Sequence, residues 1–185
     1  PPRINRVRTC TSTRAEALGG GMSNRLSNPI IVGATFSGNH AGYGGGMYND
    51  GSNPSIQAAV FEDNTASLNG GGMSNWFTSS PYLKGVDFVN NSSGTYGGAI
   101  MNYNSSPIME EVLISDNTSA EGGGMYSWGV SGGMSDPKMK NVTFEFNTAT
   151  AGDGGALYNK FSNPTLKFVT IHANQSVTRY GGGIY

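Results

Sequence analysis

GGGMYNDGSNPSIQAAVFEDN, residues 44–64, decides the fold, because GGGMSNWFTSSPYLKGVDFVNN at residues 70–91 repeats its glycines, proline, phenylalanine and closing asparagine. Working outward, GGGM stands again at Gly19–Met22 and Gly122–Met125, GGAI ends at Ile100, GGAL at Leu157 and GGGI at Ile184. These anchors are spaced 25, 26, 27, 25, 32 and 27 residues apart. A proline follows each of the first six anchors, at Pro29, Pro54, Pro81, Pro107, Pro137 and Pro164. At a constant 7 residues beyond it comes Phe36, Phe61, Phe88, Ile114, Phe144 or Ile171, and 3 further on Asn39, Asn64, Asn91, Asn117, Asn147 or Asn174. A fixed period of this length marks a solenoid.

The apolar residues alternate instead of recurring at helical spacing, so each repeat is predicted to form three short strands. The first points Met22, Met47, Met73, Ile100, Met125, Leu157 and Ile184 inward. The second starts after proline and buries Ile31, Ile56, Leu83, Met109, Met139 and Leu166. The third buries Ala34, Ala59, Val86, Val112, Val142 and Val169, with the Phe or Ile two places later. One coil cannot cover its own apolar face, so coils must stack at about 4.8 Å. The expectation is an all-β, right-handed parallel β-helix of about six coils. Two asparagine ladders should satisfy turn backbone, Asn39 to Asn174 and a second file of Asn24, Asn49, Asn75, Asn102, Ser127 and Asn159.

The 185 residues hold 29 glycines and 12% charged residues, a composition seen in disordered chains, yet eight Phe, nine Tyr and eight Met supply a core. A net charge of -1 argues against nucleic acid or an anionic membrane as partner. No apolar run reaches the roughly 18 residues needed for direct membrane insertion. Residues 1–18 carry Arg3, Arg6, Arg8 and Arg14 against Glu16 and lie outside the repeat pattern. They are assigned as a cap, tail or linker, with 19–185 as the repeat domain, an excerpt of a longer solenoid whose export signal lies elsewhere. The lone Cys10 excludes an internal disulfide framework and a multi-thiolate metal site.

FSGN at Phe36, FEDN at Phe61, FVNN at Phe88 and FEFN at Phe144, alternating with GGAI and GGAL, resemble the FxxN and GGA(I/L/V) repeats of polymorphic outer-membrane proteins and related bacterial surface β-helix repeats. The resemblance covers about residues 19–185. It implies an extracellular or cell-surface passenger region with an adhesive role. No barrel segment accompanies it, so autotransport by this chain itself is not implied.

Since a solenoid interior is committed to packing, function is sought on outward files. One reads Arg25, Asp50, Trp76, Tyr103, Trp128, Lys160 and another Ser23, Tyr48, Ser74, Met101, Tyr126, Tyr158, Tyr185. Trp76, Tyr103, Trp128, Tyr126, Tyr48 and Tyr158 are expected to form a flat aromatic strip that stacks on polysaccharide or meets a cell-surface protein. Against this, aromatics in strands also stabilise their own sheet, by about 0.2–1 kcal/mol per pair. An insertion near Gly129–Ser135 adjoins Trp128 and favours a binding role there.

A passive spacer is the structural alternative, and end-to-end self-association into fibres is a further one. A polysaccharide lyase or glycoside hydrolase would need paired carboxylates. Asp63 and Asp116 are separated by Asn90, Glu62 and Glu145 lie three coils apart, and Glu110 and Glu111 are adjacent. His40 and His172 are read as solvated. No catalytic set, metal site or cofactor is assigned, and calcium at Asp63, Asn90 and Asp116 lacks the glycine-aspartate repeat that would support it. Lys84, Glu110, Lys140 and Lys167 are expected to form a solvated, partly charge-paired face.

Overall fold

The computed structural model describes residues 9–130 and 135–185, and among them the chain forms strands and turns and no helix. Three parallel sheets run along one column as a β-solenoid of about six coils. The first sheet stacks Met22–Arg25, Met47–Asp50, Met73–Trp76, Ile100–Tyr103, Met125–Trp128 and Leu157–Lys160. Equivalent residues are in register, Met47 beside Met73 and Asn49 beside Asn75.

The second sheet joins what the alternation separated. In the middle coils the two strands predicted after proline are one eight-residue strand: Ser55–Glu62, Tyr82–Val89, Ile108–Ser115 and Lys138–Glu145. A residue at positive φ bends each of them: Ala58 (48°), Gly85 (57°), Glu111 (56°) and Asn141 (53°). The bend puts two outward residues in a row between Ile56 and Ala59, which breaks the alternation and makes one strand read as two. In the outer coils the strand does split, into Ile30–Val32 with Thr35–Ser37 and Thr165–Lys167 with Thr170–His172.

The third sheet lies beyond the ladder asparagines, at His40–Tyr43, Thr65–Asn69, Ser92–Ser93, Thr118–Ser119, Thr148–Ala149 and Gln175–Ser176. It was missed in the sequence because it buries small groups, Ala41, Ala66, Ser93, Ser119 and Ala149, which leave little hydrophobic pattern.

The core is a set of continuous files. Phe36, Phe61 and Phe88 stack with ring centroids 4.6 and 4.8 Å apart, and Ile114 and Phe144 continue the file without solvent contact. Such stacked pairs add about 0.5–1.5 kcal/mol each beyond area burial. The file from Asn39 to Asn174 is a hydrogen-bonded ladder: Asn64 Nδ2 donates to Asn91 Oδ1 and to Phe36 O, both at 2.9 Å, while its Oδ1 accepts the Asn39 backbone N–H at 3.1 Å. In the second amide file Asn24, Asn49 and Asn75 each donate to the next asparagine at 2.8–2.9 Å. Asn102 then meets only the Ser127 hydroxyl at 3.3 Å. Serine cannot continue the amide chain, and the Asn159 Oδ1 is buried without a partner.

A hydroxyl file that the sequence did not disclose accompanies them. Backbone N–H groups of Ser27, Ser52, Ser79 and Ser105 donate to Oγ of Ser52, Ser79, Ser105 and Ser135 at 3.0–3.2 Å. Each coil opens the second sheet with a proline that only accepts. The carbonyls of Pro54, Pro81, Pro107 and Pro137 take the N–H of Tyr82, Ile108, Lys138 and Thr165 at 2.9–3.0 Å, so the missing proline donor falls before the ladder begins.

Within each glycine triplet the three places have different causes. The first adopts positive φ, 66° at both Gly70 and Gly97. At the second the next coil's backbone comes so close that a Cβ on Gly98 would lie 2.2 Å from the Gly123 carbonyl oxygen. The third faces the ring in coils that carry phenylalanine, as Gly72 faces Phe88, and is alanine at Ala99 and Ala156, in the coils that carry Ile114 and Ile171 instead.

Of the segment set apart as 1–18, residues 9–18 lie along the column. Thr9–Thr11 pairs with Thr35–Ser37, which places Cys10 beside Phe36 at the end of the phenylalanine file. There burial raises the thiol pKa. Thr13 takes the ladder position, its backbone N–H donating to Asn39 Oδ1 at 3.1 Å. Residues 1–8, and 131–134 of the insertion, lie outside the described residues.

Candidate binding site

The aromatic residues of the first sheet do not form one flat strip. Three of the four positions in Met47–Asp50, Met73–Trp76, Ile100–Tyr103 and Met125–Trp128 are buried, including the outward-pointing one after the methionine. Tyr48 is 8% exposed, Met101 1% and Tyr126 2%. Over Tyr126 the cover comes from Tyr96, the residue preceding a glycine pair, which stacks on it at 4.4 Å. Tyr126 stacks in turn on Tyr158 at 4.5 Å and Tyr158 on Tyr185 at 5.0 Å. Burial pushes the Tyr126 hydroxyl far above its ordinary range and raises that of Tyr158. Tyr48 is raised by burial and then by Asp50. Tyr48 and Tyr126, placed in the binding strip from sequence, therefore belong to a covered layer, because period two cannot tell a solvated outer face from one roofed by a loop.

What remains open is the corner that ends the first sheet. Trp76, Tyr103 and Trp128 are in register on neighbouring strands and half-buried. Phe77, which the sequence analysis passed over, is 54% exposed beside them. Trp76 and Tyr103 stack along the column, centroids 4.7 Å apart and planes 31° apart, so their faces are largely spent on each other. Phe77 and Trp128 stand at 86° and 90° to Tyr103, at 5.7 and 5.4 Å. Their planes are thus perpendicular to that of Tyr103. Trp76 is fixed at its edge by a 2.8 Å hydrogen bond from Nε1 to Ser74 Oγ and by the edge of Tyr43 at 5.5 Å. Lys160 Nζ lies 4.7 Å from the Trp128 ring centre.

Phe77 adopts φ 51°, as do the residues at the same corner in other coils, Leu26 (50°), Gly51 (56°), Asn104 (47°) and Phe161 (51°). A bulky residue in the left-handed region costs about 1–2 kcal/mol, a cost the turn carries at Leu26 and Phe161 as well. The adjacent aromatics Trp76 and Phe77 were the signal available in the sequence.

The carboxylates are dispersed. Asn90 Nδ2 donates to Asp63 Oδ1 at 2.6 Å, and Glu110 accepts the Tyr82 hydroxyl at 3.1 Å. A pair unnoticed in the sequence is Glu121 and Asp153, both at the place before the glycine triplet and on adjacent coils, since Gly122 N–H donates to the Asp153 carbonyl at 3.0 Å. Asp153 is 7% exposed, with Oδ1 accepting the Tyr180 N–H at 2.7 Å. Burial, then Asp153, raises the Glu121 pKa. A raised carboxyl pKa stabilises the fold below the ordinary glutamate range and loses that contribution as pH rises through the folded value. Glu121→Gln is therefore expected to raise the melting temperature at neutral pH and to change it little in acid, which thermal melts across pH would read. Among the described residues no group of three or more His, Cys, Asp or Glu is placed to hold a metal ion.

Fold and corner together define a class, a parallel β-solenoid of short repeats with one exposed aromatic corner. The family model of the Chlamydia polymorphic membrane protein repeat matches residues 85–103, the stretch from the bend of one coil through Phe88, Asn91 and the GGAI strand. Neither the curated proteins nor the solved structures yield a match.

Proposed function

We propose that the chain is a binding module of a bacterial surface protein and that its aromatic corner takes glycan. The repeat match supports a bacterial surface protein built as a β-helix. The observation that carries the glycan reading is the pair of rings perpendicular to Tyr103. Phe77 and Trp128 stand at right angles to Tyr103 instead of stacking on it, an arrangement in which an aromatic face can meet the apolar face of a sugar ring. The corner rests on a hydrogen-bonded sheet, so little ordering is needed on binding.

The test is titration of an oligosaccharide panel followed by tryptophan fluorescence. Binding to at least one neutral oligosaccharide is expected, with a loss of about tenfold or more in Trp128→Ala. Phe77→Asn separates function from fold. Asparagine suits the backbone there, as at Asn104, so the variant is expected to keep or raise its melting temperature while binding weakens. No response from the panel, or unchanged binding in both variants, would reject the glycan reading and favour the passive spacer.

A further inference from the structure

The outer face of the second sheet carries a second feature, distinct from the aromatic corner. A shallow cleft of about 180 Å³ lies over three successive coils, lined by Ile108, Glu110, Lys138, Lys140, Thr165 and Lys167 above the buried Met109 and Met139. Register sets Lys140 directly beside Lys167 and Lys138 beside Thr165. Like charges directly opposite one another in a sheet are destabilising, and here the offset is a single cation–π contact, Lys167 Nζ 5.4 Å from the Phe168 ring centre. Among the described residues no carboxylate lies in ion-pair range of Lys138, Lys140 or Lys167; the ion pair present is Arg25–Asp50, at the other end of the column. Glu110, in register with Lys140, is engaged by the Tyr82 hydroxyl instead. The partial charge pairing expected along Lys84, Glu110, Lys140 and Lys167 is thus absent at ion-pair distance. Glu111, at the bend, adds a second carboxylate on the side of the earlier coil.

We infer that this cleft binds an acidic polysaccharide, its carboxylate or sulfate groups neutralising Lys138, Lys140 and Lys167. Lys138 and Lys140 sit two residues apart on one strand, roughly 6–7 Å, and Lys167 lies beside Lys140 on the next coil, a compact group of three cations that suits a chain carrying closely spaced anions. The half-exposed Ile108, 42% accessible, offers an apolar wall to a sugar ring. Three ammonium groups on a protein of net charge -1 are too few to hold a nucleic acid duplex at physiological salt.

The experiment measures binding of heparin (sulfated), polygalacturonate (carboxylated), uncharged dextran, duplex DNA and phosphatidylserine vesicles to the intact chain over a range of salt. At least one acidic polysaccharide is expected to bind, weakening as salt rises, and dextran is not expected to occupy this cleft. Lys138→Gln/Lys140→Gln/Lys167→Gln should lower that affinity about tenfold or more and, by relieving repulsion, leave the melting temperature unchanged or higher. Trp128→Ala should leave acidic-polysaccharide binding intact, so failure of the aromatic-corner reading and failure of this one are distinguishable. Wild-type affinity in the triple variant, no binding of either acidic polysaccharide, or equal binding of DNA or vesicles would overturn the assignment.

Discussion

Gly98→Ala is expected to prevent the column from forming. An added Cβ would sit 2.2 Å from the Gly123 carbonyl oxygen and 2.6 Å from the Thr118 backbone nitrogen, and neither can move without separating two coils along their ladders. Overpacking against a rigid backbone belongs among the rare substitutions that cost more than about 4 kcal/mol, and in a solenoid the damage falls on both neighbouring interfaces. Loss of the β-sheet circular dichroism signal, or accumulation as insoluble protein, is the expected observation. Two comparisons show that the cause is contact and not the loss of glycine as such. Gly85→Ala meets nothing within 4 Å and bears only its positive φ of 57°, a cost of about 1–2 kcal/mol. Gly72→Ala would set its Cβ 2.8 Å from Phe88 Cδ1 and 2.9 Å from the Ala99 carbonyl oxygen and is expected to fall between the other two, since a ring can give more than the backbone met at Gly98.

Asn117→Ala is expected to lower stability by about 4 kcal/mol, since several buried groups lose their partners together. The Asn117 amide donates to Asn147 Oδ1, Phe88 O and Ser115 O at 2.9, 3.0 and 2.8 Å, and its oxygen accepts the Asn91 backbone N–H and side-chain amide at 2.9 and 3.0 Å. In urea or thermal unfolding this corresponds to a melting point lower by roughly 8–16 °C for a chain of this size. Asn117→Asp should do no better at neutral pH, because a carboxylate would face three acceptors. Asn174→Ala, in an outer coil where the side chain is partly accessible, should cost only about 1 kcal/mol because water can replace the lost bonds. Equal effects at the two positions would contradict the ladder as a buried stabilising element.

The fold was legible because its cause is periodic. Phe36, Phe61 and Phe88 recur at fixed offset from proline and asparagine, and in-register stacking turns that offset into one buried file. The third sheet escaped because alanine and serine at Ala66 and Ser93 carry no hydrophobic signal. The bend at Ala58 and Glu111 escaped because nothing in those side chains announces a left-handed backbone. The candidate site was legible only in part. Trp76, Tyr103 and Trp128 follow from counting along the strand, but the roofing of Tyr126 by Tyr96 depends on how a loop folds back, which no count along one strand contains. Phe77 was overlooked because it lies past the strand end, and the unpaired lysines because file membership was taken for pairing.

The amide files give the column a chemical arrow. From Asn39 to Asn147 in one file and from Asn24 to Asn102 in the other, each side chain hands its hydrogen to the later coil, as Asn39 does to Asn64 and Asn49 to Asn75, so along these stretches every coil turns its lone pairs to the earlier side and its hydrogens to the later one. A coil laid down in the reverse sense would set oxygen against oxygen on one side and hydrogen against hydrogen on the other, whereas one in the same sense matches. Any added turn, whether from the same polypeptide or another, must therefore arrive pointing the same way, much as a template accepts its copy in a single sense.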